Sequence, residues 1–227
     1  MQTLSVIIPV LNASLTLDET LAHLRAGDSN LVTEIIVSDG GSSDQTLEKA
    51  AEAGCVVMEG SPNRGNQLVR GATQAHGKWL LFVHADTRLS DNWGKHARAF
   101  IEMESSQDRA AVFNFCLDDS SLKAWLLESI VAIRVRFLAL PYGDQGLLIS
   151  RRFYDHIGGF APIPLMEDVD IIRKIGRHRL TVLPALAITS ALRYQRDGYL
   201  KRILRNSICL ALYAMGVHPN KLVKFYR

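Results

Sequence analysis

The chain predicts an α/β protein: a mostly parallel, doubly wound sheet with helices on both faces. Three observations predict it. Strand and helix signals alternate from the N-terminus as β-α-β-α-β-α-β. The first and fourth strand segments, LSVIIPV (4–10) and KWLLFVHAD (78–86), carry near-continuous apolar runs, as parallel strands buried on both faces do. Polar residues then cluster where the first, second and fourth strands end, the rim at which such sheets bind ligands.

Each element has its own signal. After the first strand, Leu17, Leu21 and Leu24 recur at helical spacing behind a possible capping box, Thr16 with Glu19. EIIVSDG (34–40) is the second strand, and the Ser/Asp start and Gly stop of SSDQTLEKAAEAG bound the second helix. CVVMEG (55–60) is a short third strand, RGNQLVRGATQAHG (64–77) a third helix, and 78–86 the fourth strand. The second half is less regular. A helix is expected over 91–105, a strand over 110–118, a long apolar-faced helix over 121–139 and a strand over 146–150. A short helix follows at 171–177 after an acidic turn. TVLPA (181–185) reads as an edge strand, because Pro184 has no N–H to donate to a ladder. An amphipathic basic helix and tail close the chain. No repeat or linker interrupts it, so one unit over 1–195 is expected, with a basic segment over 196–227 packed on it.

Composition excludes several classes. Of 227 residues 48% are apolar and 22% charged, the balance of an ordinary globular protein able to bury a sizeable core. A formal charge of +3 is too small by itself to argue for nucleic acid, and no nucleic-acid partner is expected. The charge is unevenly spread: beyond Gln195 come Arg196, Lys201, Arg202, Arg205, Lys221, Lys224 and Arg227 against the single acid Asp197. Cys55, Cys116 and Cys209 are widely spaced among apolar neighbours, which predicts buried free thiols rather than a disulfide or zinc framework. The N-terminus lacks a basic region and its apolar run is short for a signal peptide, and no window reads as a spanning helix. A cytoplasmic placement is expected. The helix from Tyr199 sets Leu200, Ile203, Leu204, Ile208 and Leu212 against Lys201, Arg202 and Arg205, a pattern able to lie on the inner face of an anionic membrane or to pack on a core.

The chemistry-bearing residues sit at strand ends: Pro9, Leu11 and Asn12 after the first, Ser38 to Asp44 after the second, His84 and Asp86 after the fourth. Carboxylates there suit ribose hydroxyls or bases, and glycines allow close approach of backbone. A dinucleotide fold would need G-x-G-x-x-G after the first strand, where this chain has PVLNAS; a P-loop is absent as well. Strand alternation places His84 and Asp86 on one side, although an Asp at such a position also caps helices.

Taken in order, SVIIPVLN, IIVSDGGSSDQT, NRGNQ, FVHADT and PLMEDVDI resemble the family 2 glycosyltransferases of GT-A fold, over roughly residues 3–195, and in particular a small single-domain bacterial group. The resemblance implies an inverting, metal-dependent transfer of a sugar from a nucleoside diphosphate, a UDP- or GDP-sugar, to a hydroxyl acceptor that could be lipid-linked. It implies a nucleotide site of Pro9, Leu11, Asn12, Asp39, Gly40, Ser42, Arg64, Gln67 and Ala85, with Asp39 on the base. Asp86 matches the last acid of the family's Asp-x-Asp motif, which binds a divalent cation, Mn²⁺ or Mg²⁺. His84 replaces the first acid, and an imidazole ligand there would favour Mn²⁺. Asp168 matches the general base, with Glu167 beside it. Carboxylates at this position also complement a helix N-terminus. Gly143, Asp144 and Gln145 are expected at the acceptor pocket, where a plain turn would also account for them. Arg193 is a candidate for the diphosphate. Two rivals remain at this stage: a nucleotide-sugar-binding module without catalysis, hinted at by His84, and a sugar nucleotidyltransferase, disfavoured by the missing phosphate loop.

Overall fold

A computed structural model describes residues 2–27 and 30–226 of the chain; Met1 and Arg227, the outer bounds of the two expected units, lie outside the described residues. Among the described residues the strands form an eight-stranded sheet in the order β3-β2-β1-β4-β7-β6-β8-β5. These are β1 (Leu4–Val10), β2 (Val32–Asp39), β3 (Val56–Met58), β4 (Trp79–Phe82), β5 (Thr87–Leu89), β6 (Ala110–Leu117), β7 (Leu147–Ser150) and β8 (Leu180–Thr189). β1 pairs in parallel with β2 and β4, and β2 with β3. β7 is antiparallel to both β4 and β6, β6 is parallel to β8, and β5 is antiparallel to β8. The first half is therefore the expected parallel sheet, and the second half is mixed.

Helices cover both faces. α1 (Leu17–Gly27) and α4 (Trp93–Ile101) pack on one side with Val6, Ile8, Trp79, Leu81 and Phe113, while α3 (Arg64–Gln74), α6 (Arg151–His156) and α7 (Glu167–Ile175) cover Ile7, Leu80, Phe82 and Ile149 on the other. Alternate residues of β1 thus serve two cores, as its unbroken apolar run requires. α2 (Thr46–Glu52) flanks β3. α5 (Leu122–Leu138) lies on the outer part of β6 through Ala124, Leu127 and Val131. The last helices, α8 (Leu192–Asp197), α9 (Tyr199–Ala214) and α10 (Pro219–Tyr226), return to α7, where Cys209 and Leu222 pack against Leu165, Met166 and Val169. No described helix is long and apolar enough to cross a membrane.

One expectation is refined and three are corrected. β8 is flanked by β6 and β5, but β5 reaches only Ala187–Thr189, so the 181–185 stretch pairs on the β6 side alone, as an edge does. Pro184 sits there in a bulge where the register with β6 skips from Leu183 to Leu186, so no ladder bond is demanded of it. α7 begins at Glu167 rather than Ile171, which puts the acids in its first turn. β4 ends at Phe82, so His84 and Asp86 occupy the following turn rather than one face of a strand. Of the cysteines, all free, only Cys209 is buried; Cys55 and Cys116 are half-buried.

Candidate active site

The carboxyl ends of β1 and β4 open onto a cleft of about 570 Å³. Its wall on the β1 side is the turn Pro9–Asn12, in which Asn12 takes φ 51°, a left-handed conformation that Asn tolerates better than most residues. The turn is braced by the β2 loop: Asn12 N donates to Ser42 Oγ at 2.8 Å and Ser43 N to Asn12 Oδ1 at 2.9 Å. Asp39 is only 1% exposed, and its carboxylate accepts from the backbone N–H groups of Gly41 and Ser42 and from the Ser42 hydroxyl. Asp39, Gly40 and Ser42 therefore build the loop from behind the cleft wall and are not among its lining residues. Gln67, from α3, donates through Nε2 to Val10 O at 2.7 Å and Ser38 O at 2.9 Å, tying the ends of β1 and β2 together at the cleft floor. Ala85 lines the opposite side.

Arg64 opens α3. The following residue must be glycine: a Cβ on Gly65 would fall 2.3 Å from Ala161 O and 2.5 Å from Ile163 O. That close approach brings the start of α3 against the segment leading into α7, and Arg64 Nη1 meets Glu167 Oε1 at 3.3 Å. The Glu167 side chain is 2% exposed, and its Oε2 is buried without a hydrogen-bond partner among the described residues. Burial raises the Glu167 carboxyl above its ordinary value despite Arg64, with Asp168 adding to the rise. Met166, just before the pair, holds φ 68°, a left-handed conformation that is strained for such a side chain and turns the chain into α7 at the acids.

Beside the cleft a smaller cavity of about 90 Å³ is lined by Arg64, His84, Asp86, Gly143, Asp144, Asp168, Arg193 and Tyr226, among others. Asp86 Oδ2 lies 3.5 Å from Arg193 Nη2. Asp168 is oriented by two backbone donors, Gly143 N to Oδ2 at 3.0 Å and Val169 N to Oδ1 at 2.7 Å. His84 packs so closely on Gly143 that a Cβ there would lie 2.6 Å from its Nε2; burial, then Arg64, pushes the imidazole down to about 4, so the ring is neutral. Asp144 faces the same cavity, whereas Gln145 turns away and donates to Phe113 O at 2.9 Å. The structure thus brings together all the expected site residues except Asp39, Gly40 and Ser42, which lie behind the cleft, and Gln145, which faces β6. Tyr226, Asn206 and Arg202 also line the cavity. Their helices follow the motifs by tens of residues, and only the apolar spacing of 199–217 hinted that the tail folds back.

No group of three His, Cys, Asp or Glu side chains able to hold a metal occurs among the described residues. The donor set still fits a hard divalent cation of the Mg²⁺ or Mn²⁺ kind. Such ions are commonly held by one or two carboxylates with phosphate and water oxygens, and Asp86 presents a carboxylate at the seam of the two cavities, paired with Arg193.

Known proteins sharpen this picture. Against glucosyl-3-phosphoglycerate synthase of Mycobacterium tuberculosis the chain is 29% identical over 94 residues, 37% of this chain and 29% of that protein. Against a PGL/p-HBAD biosynthesis glycosyltransferase of Mycobacterium bovis it is 32% identical over 102 residues, 37% of this chain and 36% of the relative. These matches span about a third of each relative's length. S. aureus TarS 1–349 in complex with UDP superposes at a TM-score of 0.64 with 18% identity, covering 100% of this chain and 70% of that one. The M. tuberculosis synthase solved with Mn²⁺, UDP and glucosyl-3-phosphoglycerate gives 0.56 with 20% identity, over 83% of this chain and 70% of that one. Both structures share the GT-A fold with this chain. The family model described as Glycosyl transferase family 2 matches residues 5–154, the span that carries the cleft turns, Arg64, His84, Asp86 and Gly143. That is two thirds of the sequence, and the chain belongs to glycosyl transferase family 2.

Proposed function

We propose that the chain is an inverting glycosyltransferase that moves a sugar from a nucleoside diphosphate to a hydroxyl acceptor. The observation that carries the reading is the meeting of Asp86, Asp168, Arg64 and Arg193 around one small cavity at the mouth of a 570 Å³ cleft. The cleft, walled by Pro9, Leu11, Asn12, Gln67 and Ala85, takes the nucleoside, with Asp39, Gly40 and Ser42 fixing the shape of its loop. Arg64 and Arg193 face the diphosphate. Asp86 is the side-chain ligand for a divalent cation, which when bound neutralises the charge of the departing diphosphate. His84, neutral and pressed on Gly143, sets the floor beside it. The unit over 1–195 supplies this machinery and the segment over 196–227 closes it through Tyr226.

Asp168 is the general base. Its two oxygens each accept one backbone N–H and retain free lone pairs toward the cavity, so an acceptor hydroxyl can hand its proton to a carboxylate already fixed in place. The attacking oxygen then forms its bond to the anomeric carbon as the bond to the diphosphate oxygen breaks on the opposite face, which inverts the configuration. Glu167 keeps Arg64 in position. Support for the donor class comes from the fold relatives solved with UDP and with Mn²⁺.

Thermal stabilisation by UDP, GDP, CDP and dTDP, each with and without Mn²⁺ or Mg²⁺, tests the reading. A nucleotide at about a hundred times its Kd adds about 2.7 kcal/mol. One nucleotide should stabilise the protein, with the metal strengthening the effect, and Asp86→Ala should abolish the metal's contribution. Absence of stabilisation by every nucleotide would overturn the donor assignment.

A further inference from the structure

α5 is apolar almost all round, yet only one side of it is covered. Ala124, Leu127 and Val131 face the sheet, while Leu122, Trp125, Leu126, Ile130, Ile133 and Phe137, spaced as one helical stripe, are 41–78% exposed. α9 runs beside it and exposes a second stripe, Leu200, Leu204 and Ile208, at 47–81%. Between the two helices lies a groove of about 710 Å³, walled by Ile130, Ile133 and Phe137 on one side and Ile203, Leu210 and Ala214 on the other. That volume is typical of a small-molecule site. The groove is not separate from the chemistry. Its inner end shares Tyr142, Asp144, Tyr194 and Asn206 with the cavity that holds Asp86 and Asp168.

Charge indicates what covers this face. α9 contains no acid, and the only acid of α5, Glu128, turns inward to accept the Leu117 N–H at 2.7 Å. Lys123, Arg136 and Lys201 are exposed around the apolar stripes. The exposed charged side chains of these two helices are cations, with Asp118, Asp119 and Asp197 at their N-terminal ends. An apolar face so edged complements an anionic bilayer. We infer that, on the donor reading above, the acceptor is a lipid-borne hydroxyl: its apolar chain lies in the α5/α9 groove, its hydroxyl reaches Asp168, and the two stripes seat the enzyme on the membrane surface.

Tryptophan fluorescence tests this directly, because Trp79 and Trp93 are fully buried and Trp125 is 62% exposed on the stripe. Vesicles of phosphatidylcholine and phosphatidylglycerol carrying brominated acyl chains should quench Trp125. They should also quench a reporter inside the groove, Leu210→Trp in a Trp125→Phe background. Ile133→Glu with Phe137→Glu, at exposed positions, should remove the quenching at Trp125 while UDP still stabilises the protein, which shows that the variant is folded. Quenching at Trp125 without quenching at the groove reporter would overturn the chain-binding role. No quenching at either, with UDP stabilisation intact, would overturn the whole inference and leave the donor reading standing. Dimerisation through an unquenched face, lost in the Glu variant, would overturn it in favour of a second copy. Failure of UDP and every other nucleotide to stabilise the unsubstituted chain would instead overturn the reading beneath it.

Discussion

The two sides of the cleft are held in different ways. On the β1–β2 side, hydrogen bonds between neighbouring loops do the positioning: Asn12 with Ser42 and Ser43, Gln67 with the carbonyls of Val10 and Ser38, and the carboxylates of Asp39 and Asp44 with nearby N–H and hydroxyl groups. On the α7 side the links are ionic or charge-assisted and span different parts of the chain: Arg64 with Glu167, Arg193 with Asp86, and Asp168 with the Gly143 N–H. The first side is a cradle of hydrogen bonds in which carboxylates accept from local N–H and hydroxyl groups. The second is a set of ionisable groups in a poorly solvated pocket, where each charge depends on its neighbours. A donor-binding surface can be pre-formed in the first way, whereas proton transfer needs the second.

Asp168→Asn should separate the two sides most sharply. Asn keeps an oxygen to accept from Gly143 N and loses the base, so turnover, followed as release of free nucleoside diphosphate, should fall by about 10²–10⁴. Nucleotide-dependent stabilisation should stay as it was. Full turnover in this variant would remove Asp168 from the role.

Gln67→Leu strikes the cradle instead. It strips two donors from buried carbonyls at the joined ends of β1 and β2, at a cost of about 1–3 kcal/mol in urea unfolding. Nucleotide affinity should weaken with it, because the same bonds hold the cleft floor. A unchanged urea midpoint would mean that the neutral clamp carries no load and would erase the contrast.

The contrast also explains what could be read in advance. The cradle side is local in sequence: buried parallel strands announce themselves as unbroken apolar runs, and the loops at their ends follow immediately. β5 left no such trace, since its three residues take their meaning from pairing with β8 about a hundred positions later. Pro184 marks a stretch of β8 paired on one side only, but the bulge around it shows only in the register with β6, which skips from Leu183 to Leu186. The motif resemblance implies Asp39 on a base, whereas the two N–H groups that the turn Gly41–Ser42 folds onto its carboxylate are a local detail no motif spells out. For α7 the acids are legible both as a site and as a helix start, and all three stand in the first turn of that helix while Asp168 faces the cavity. The lining by Tyr226 was out of reach, because it depends on α9 and α10 returning to Val169, a contact written in tertiary packing rather than in any motif.

Asp144 gives the finest test of the ionisable side. Burial pushes its carboxyl up to about 6, against Arg134 and with Asp168 and Asp86 adding to the rise, and its Oδ1 is buried with no hydrogen-bond partner among the described residues. A carboxyl raised above its unfolded value of about 3.9 binds its proton more tightly in the folded chain. Its contribution to stability is therefore full below about pH 4 and is lost as pH rises through about 6. The loss amounts to about 1–3 kcal/mol, toward the lower end because the residue is only half-buried. Asn at this position cannot ionise, so Asp144→Asn should lack this part of the decline, and its stability relative to the parent should rise between about pH 4 and 6 and hold above that. Urea unfolding at pH 4.5 and pH 7 measures the difference. Parallel curves would show that the proton on Asp144 is not linked to folding and would remove the contrast between the two sides at this residue.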